Sequence, residues 1–167
     1  MKSTGSKIKD LNDIHSSIER IAYQIYECNF EEDTLFIAGI GEKGKILSSL
    51  IGKSLGSISK IKVKLLTLNI DKKNPLNNVI CDKPLSILKN NSVVVVDDVL
   101  NTGSTLIYAV SYFLQVPVKS IKTAVMVNRN HKKFPVKADF KGISLATTIN
   151  EHISVILDGP DPGIFLT

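Results

Sequence analysis

The segment Val93 to Leu106, VVVVDDVLNTGSTL, constrains this chain more than any other. Four consecutive β-branched residues suit a strand buried on both faces, as an inner strand of a parallel sheet is. The run ends in two adjacent carboxylates, Asp97 and Asp98, which therefore fall at the strand's C-terminal end, where open α/β sheets place ligands. Asn101-Thr102-Gly103-Ser104-Thr105 follows and opens an apolar stretch with helical spacing. Unpaired N–H groups at a helix start, three hydroxyls and one flexible glycine suit a phosphate monoester. Acids on ribose hydroxyls and amides on a 5′-phosphate would together hold a sugar phosphate. The plain alternative is a strand–turn–helix with solvated acids and a threonine cap; the co-occurrence of every part in one order favours the site.

Around this unit the chain alternates strand and helix patterns. Ile14, Ile18, Ile21, Ala22, Ile25 and Tyr26 form one helical stripe, with Asp10 or Asn12 as its cap. Thr34 to Ile40 reads as a buried strand, and Ile46, Leu47, Leu50, Ile51 and Leu55 as the next helix. Lys62 to Ile70 and Ser120 to Val127 read as further strands, and Ile153 to Leu157 as the clearest strand after them. Repeated β-then-α units predict a right-handed parallel sheet with helices on both faces. Residues 1–9 read as a loose tail and 71–91 as a long mobile loop with a short strand or hairpin. No repeat or linker divides the 167 residues, so 1–167 is expected to be a single domain.

Between the first strand and its helix lies Gly39-Ile40-Gly41-Glu42-Lys43-Gly44. Glycines there allow either close backbone approach to an anion or merely a tight turn. The formal charge of +5 suits an anionic substrate or RNA, but a lysine-rich solvated surface is the favoured reading of it. Arginine is scarce, at Arg20 and Arg129 only, whereas nucleic-acid readers favour it. Cys28 and Cys81 lie far apart without metal-ligand spacing, and no apolar run is long enough to span a bilayer. With no hydrophobic leader at the N-terminus, the expectation is a cytoplasmic protein without membrane contact.

The segment from Val93 to Thr105 resembles the PRPP-binding motif of the type I phosphoribosyltransferases: apolar strand, two acids, two apolar residues, any residue, Thr-Gly, any residue, Thr. A second stretch, Val127 to Gly142, is similar to the signature of the bifunctional pyrimidine-operon attenuator and uracil phosphoribosyltransferase family, PyrR. Arg129, His131, Pro135, Ala138, Asp139 and Gly142 match that signature in place, and Thr147 fits it. The resemblance runs from about residue 12 to the Asp161-Pro-Gly-Ile-Phe end. Asn128 and Asn130 depart from it, standing where the family carries Asp and Gly. The glycine loop departs too: uracil-type relatives place Lys-Thr-Arg before its last glycine, where this chain has Gly41-Glu42-Lys43.

The resemblance implies a type I phosphoribosyltransferase-like α/β fold, a central parallel sheet flanked by helices with a small C-terminal hood over 128–150. It implies that Asp97 and Asp98 are catalytic and, with Asn101, Thr102, Gly103, Ser104 and Thr105, bind PRPP. It implies a pyrophosphate loop of Ile40, Gly41, Glu42, Lys43 and Gly44, and a base-side set of Arg129, His131 and Thr147. Mg²⁺ would accompany PRPP, and the 71–91 loop would act as a lid, with Asp71, Lys72 and Lys73 as its charged members. Partners would be PRPP and a nucleobase or nucleoside monophosphate, RNA in the attenuator role, and further copies of the chain as a dimer or larger homo-oligomer. Purine-salvage relatives carry Asp as a base where Asn101 stands; an amide cannot take a proton at neutral pH, so uracil is the expected acceptor. Three readings stand: a uracil-to-UMP transferase, a nucleotide-sensing RNA-binding regulator of pyrimidine genes, and a nucleotide-binding homologue with weak catalysis.

Overall fold

Val93 and Val95 point into one hydrophobic layer and Val94 and Val96 into another, so the valine run is buried on both faces. The structure is a computed structural model that describes residues 5–167. In chain order it forms β1 (Ser6–Lys9), α1 (Leu11–Asn29), β2 (Thr34–Ile40), α2 (Gly41–Ile58), β3 (Lys62–Asn69), β4 (Ile80–Cys81) and β5 (Ser92–Leu100). Then follow α3 (Ser104–Phe113), β6 (Ser120–Arg129), β7 (Phe140–Leu145), β8 (Ile153–Ile156) and β9 (Gly163–Leu166).

The main sheet runs β4-β3-β2-β5-β6-β7, parallel except for the short antiparallel β4. From β2 the chain crosses through α2 to β3; from β5 it crosses through α3 to β6, in the other direction. The order therefore reverses between β2 and β5, whose registers pair Ile37 with Val94 and Gly39 with Val96. α1 and α2 cover the face that holds Val94 and Val96, and α3 covers the opposite face with Leu106, Ala109 and Phe113. Helices that leave adjacent strands on opposite faces open a crevice at the strands' carboxyl ends.

Asp10 caps α1 reciprocally: its carboxylate accepts from the Asp13 N–H at 2.9 Å, and its own N–H donates to Asp13 at 3.2 Å. The predicted stripe from Ile14 to Ile25 is buried as expected. Arg20, across the helix, donates to the carbonyls of Lys141 and Gly142, at 3.0 and 2.6 Å, and ties α1 to β7.

Several expectations are corrected. Residues 6–9 are no loose tail: they form β1, which pairs antiparallel with β9, and β9 pairs with β8 to give a second, three-stranded sheet. Residues 1–4 lie outside the described residues. β5 runs two residues past Asp98, so the acids stand within the strand rather than at its last position. Gly41 to Gly44 is the first turn of α2, not a loop before it. Part of the stretch expected as hood belongs to the main sheet, namely the end of β6 and all of β7. Residues 71–91 hold β4 and a 3-10 turn over Leu85–Leu88. Among the described residues no helix is long and apolar enough to cross a membrane.

Candidate active site

The crevice beyond β5 has a volume of about 410 Å³. Asp97 and Asp98 form its floor, only 3% and 6% exposed. The backbone holds them there: Asp97 pairs with Val125 and Val99 with Val127 of β6, and the Asp98 N–H donates to Asp97 Oδ1 at 2.9 Å. Two lysines from neighbouring elements face the pair. Lys72, just past β3, lies 3.5 Å from Asp97 and 3.7 Å from Asp98; Lys43, in the first turn of α2, lies 3.5 Å from Asp98. Burial pushes the Asp97 carboxyl up to about 7, against the pull of the Lys72 ammonium and with a further push from Asp98. Burial pulls Lys72 down, but the two carboxylates together outweigh it and hold the ammonium above its ordinary range.

Asn101 to Thr105 line the wall next to the acids. No side chain caps α3, so its first N–H groups remain open to a ligand apart from that of Ser104, which donates to Thr102 Oγ1 at 3.2 Å. The Thr102 carbonyl accepts from the N–H groups of Lys133 and Phe134, at 2.8 and 3.1 Å. Gly103 has φ +85°, and a Cβ there would stand 2.5 Å from Val136 Cγ1. The segment after β6 thus braces this turn, which only glycine completes without strain.

Of Ile40 to Gly44, only Lys43 reaches the acids. Ile40 is buried at the end of β2, and Gly41 turns the chain at φ +62° with open space beside it. Glu42 is exposed in the first turn of α2, where a negative charge is favoured by the helix dipole. α2 also lacks a side-chain cap.

On the other side, Arg129, His131 and Thr147 come together. Arg129 is buried and lines the crevice; its Nε donates to Thr147 Oγ1 at 2.8 Å and its Nη2 to the Thr148 carbonyl at 3.0 Å. His131 Nε2 lies 2.7 Å from the Thr147 carbonyl. The guanidinium and imidazole hold the 147–148 turn against the end of β6, and only Arg129 of the three lines the crevice itself. Asn128 is buried next to Ser144, where an amide costs less to bury than the family's carboxylate would.

Two lining groups were not legible as site residues, and Lys72, expected as a charged member of the lid, was not expected as an ion-pair partner of the acids. His152 and Ile153 line the crevice, because the His152 backbone exchanges hydrogen bonds with Thr167, at 2.7 and 2.9 Å. That pairing is set by β8 against β9, far from any local motif.

Among the described residues no three His, Cys, Asp or Glu side chains converge to hold a metal by themselves. Two nearly buried carboxylates beside the uncapped start of α3 do fit Mg²⁺ arriving with phosphate ligands. That ion takes one or two carboxylates and fills its remaining positions with phosphate and water.

Residues 5–158 match the family model described as the phosphoribosyl transferase domain. The Bifunctional protein PyrR of Fusobacterium nucleatum subsp. nucleatum is 33% identical, over 94% of this chain and 95% of its own length. That of Leuconostoc citreum is 29% identical, over 95% and 96%. Among solved structures, the hypoxanthine phosphoribosyltransferase of Trypanosoma cruzi is similar with a TM-score of 0.80, covering 96% of this chain and 95% of that one. At 15% identity that likeness speaks for the fold alone.

Proposed function

The chain belongs to the type I phosphoribosyltransferase family, alongside the bifunctional PyrR proteins, and from that premise we propose that it transfers the phosphoribosyl group of PRPP to uracil. The bond from ribose C1 to pyrophosphate breaks, a bond forms from C1 to N1 of uracil, and the N1 proton passes to solvent water; UMP and pyrophosphate leave. The observation that carries this reading is the buried Asp97–Asp98 pair beside the uncapped start of α3.

Cleavage at C1 builds positive charge on the ribose ring, as in glycoside hydrolysis. Asp97 and Asp98 hold the ribose hydroxyls and place negative charge below that ring. The braced turn from Thr102 to Thr105 anchors the 5′-phosphate, so C1 is held in place while its substituent changes. Lys43 brings positive charge from α2 toward the leaving group. Mg²⁺, when bound with PRPP through Asp97 or Asp98, would neutralise charge on the pyrophosphate. Arg129, His131 and Thr147 shape the base side. Asn101 supplies no general base, which supports a pyrimidine acceptor over hypoxanthine or guanine.

A second reading, a nucleotide-sensing RNA-binding regulator of pyrimidine genes, draws on exposed Lys132 and Lys133 next to Arg129 and His131. Both readings carry an assembly of two or more copies and a cytoplasmic setting as further expectations. Incorporation of radiolabelled uracil, hypoxanthine and guanine, with PRPP and Mg²⁺, tests the first. Uracil should react fastest, and Asp97→Asn with Asp98→Asn should abolish incorporation while circular dichroism stays native. Faster purine turnover overturns the pyrimidine assignment; full activity in the double variant overturns the site.

A further inference from the structure

Lys72 is presented to the acids by a turn that closes on itself. Asp71 Oδ1 accepts from the N–H groups of Lys73 and Asn74, at 2.9 and 3.2 Å, and Asn77 Nδ2 donates to Asp71 Oδ2 at 2.8 Å. The turn follows β3, so Lys72 enters from the strand next to β2 rather than from the PRPP motif. Its side chain is 54% exposed, whereas those of Asp97 and Asp98 are 5% and 9% exposed. The carboxylates are pinned in β5; the ammonium rides on a long, solvent-facing stem. Of the three groups, Lys72 is the one that can change position at small cost.

The proposed function sets a competition. Ribose hydroxyls and the Lys72 ammonium seek the same carboxylate oxygens, and both cannot be fully satisfied. The lysine released by a bound ribose would stand close to the one strongly anionic group that PRPP brings to that side. We infer that Lys72 is a two-position residue: it neutralises the Asp97–Asp98 pair in the free protein and moves onto the pyrophosphate when PRPP binds. This rests on the PRPP reading of the site and adds to it a positioning role for a residue outside the motif. Lys43, the other lysine at the acids, pairs with Asp98 alone.

The inference demands opposite effects on two ligands. Ribose 5-phosphate competes with Lys72 but offers it no pyrophosphate; PRPP offers both. Calorimetric titration of each ligand into wild type, Lys72→Met and Lys72→Arg, at fixed pH, salt and Mg²⁺, reads the difference. Lys72→Met should bind ribose 5-phosphate about threefold tighter, because a partly exposed ion pair no longer has to break. It should bind PRPP about tenfold weaker, because a charge-assisted contact is lost. Lys72→Arg should stay within about threefold of wild type for both ligands, since the cation is kept. Both ligands weaker, both tighter or both unchanged in Lys72→Met overturns the inference. Failure of wild type to bind PRPP at all overturns the proposed function instead.

Discussion

The turns that leave β2 and β5 obey the same local rules and come out as different devices. Each follows a buried strand, each starts a helix without a side-chain cap, and each bends at a glycine with positive φ. The β5 turn is braced: two N–H groups hold the Thr102 carbonyl, and Val136 stands over Gly103. The β2 turn has open space beside Gly41 and sends one long side chain, Lys43, to the acids. A braced backbone suits a group that stays bound through the reaction, and a flexible lysine suits one that leaves. Bracing, not glycine content, separates them.

The largest test of that contrast compares alanine at the two glycines. Gly103→Ala should cost on the order of 2–4 kcal/mol, from left-handed backbone strain and the collision with Val136. Gly41→Ala meets nothing within 4 Å and should cost about 1 kcal/mol from its backbone alone. Denaturant midpoints measure both. Adding Val136→Ala should recover part of the loss at Gly103 and none at Gly41; equal recovery would dissolve the distinction.

A smaller effect concerns charge stored in the β5 floor. The folded-state pKa of Asp97, about 7, lies above the ordinary carboxylate range, so the folded chain holds this proton more tightly than the unfolded chain. Between about pH 4 and about pH 7 the unfolded chain therefore binds fewer protons, and stability falls as pH rises; above that window the loss is complete. Asp97→Asn keeps an acceptor for the Asp98 N–H and removes the loss. It should be more stable than wild type by about 1–3 kcal/mol near pH 8, with the gap closing toward pH 4. Urea unfolding across that range decides it, and a gap that widens toward acid would reverse the assigned sign.

The smallest effect belongs to the β2 turn. Glu42 is exposed beside a helix start that favours it, so Glu42→Gln should change kcat by less than about threefold, as expected for a screened surface charge. A larger rise would place its carboxylate against the leaving group and make the family's Lys-Thr-Arg pattern the better loop.

The valine strand, the acid pair and the threonine-rich turn were legible because each is written within a few adjacent residues. The same holds for the Asp10 cap and for β2. Arg129, His131 and Thr147 were legible only through family resemblance, since nothing in their spacing shows that one turn links them. β1 was missed: a four-residue strand with a half-exposed pattern has no meaning without β9 to pair with, 154 residues or more away in sequence.

Local sequence by itself determined which strand would carry the acids and which helix start would face them, because buried runs, caps and glycine turns act over a few residues. Only the tertiary structure decided what completes the site. Lys72 meets the acids because β3 lies beside β2, and His152 lines the crevice because the C-terminal strand pairs with the one before it. Val136 braces Gly103 because the chain folds back after β6. Each of these contacts joins residues far apart in the chain, and their closeness is set by sheet order and packing rather than by any pattern either residue carries.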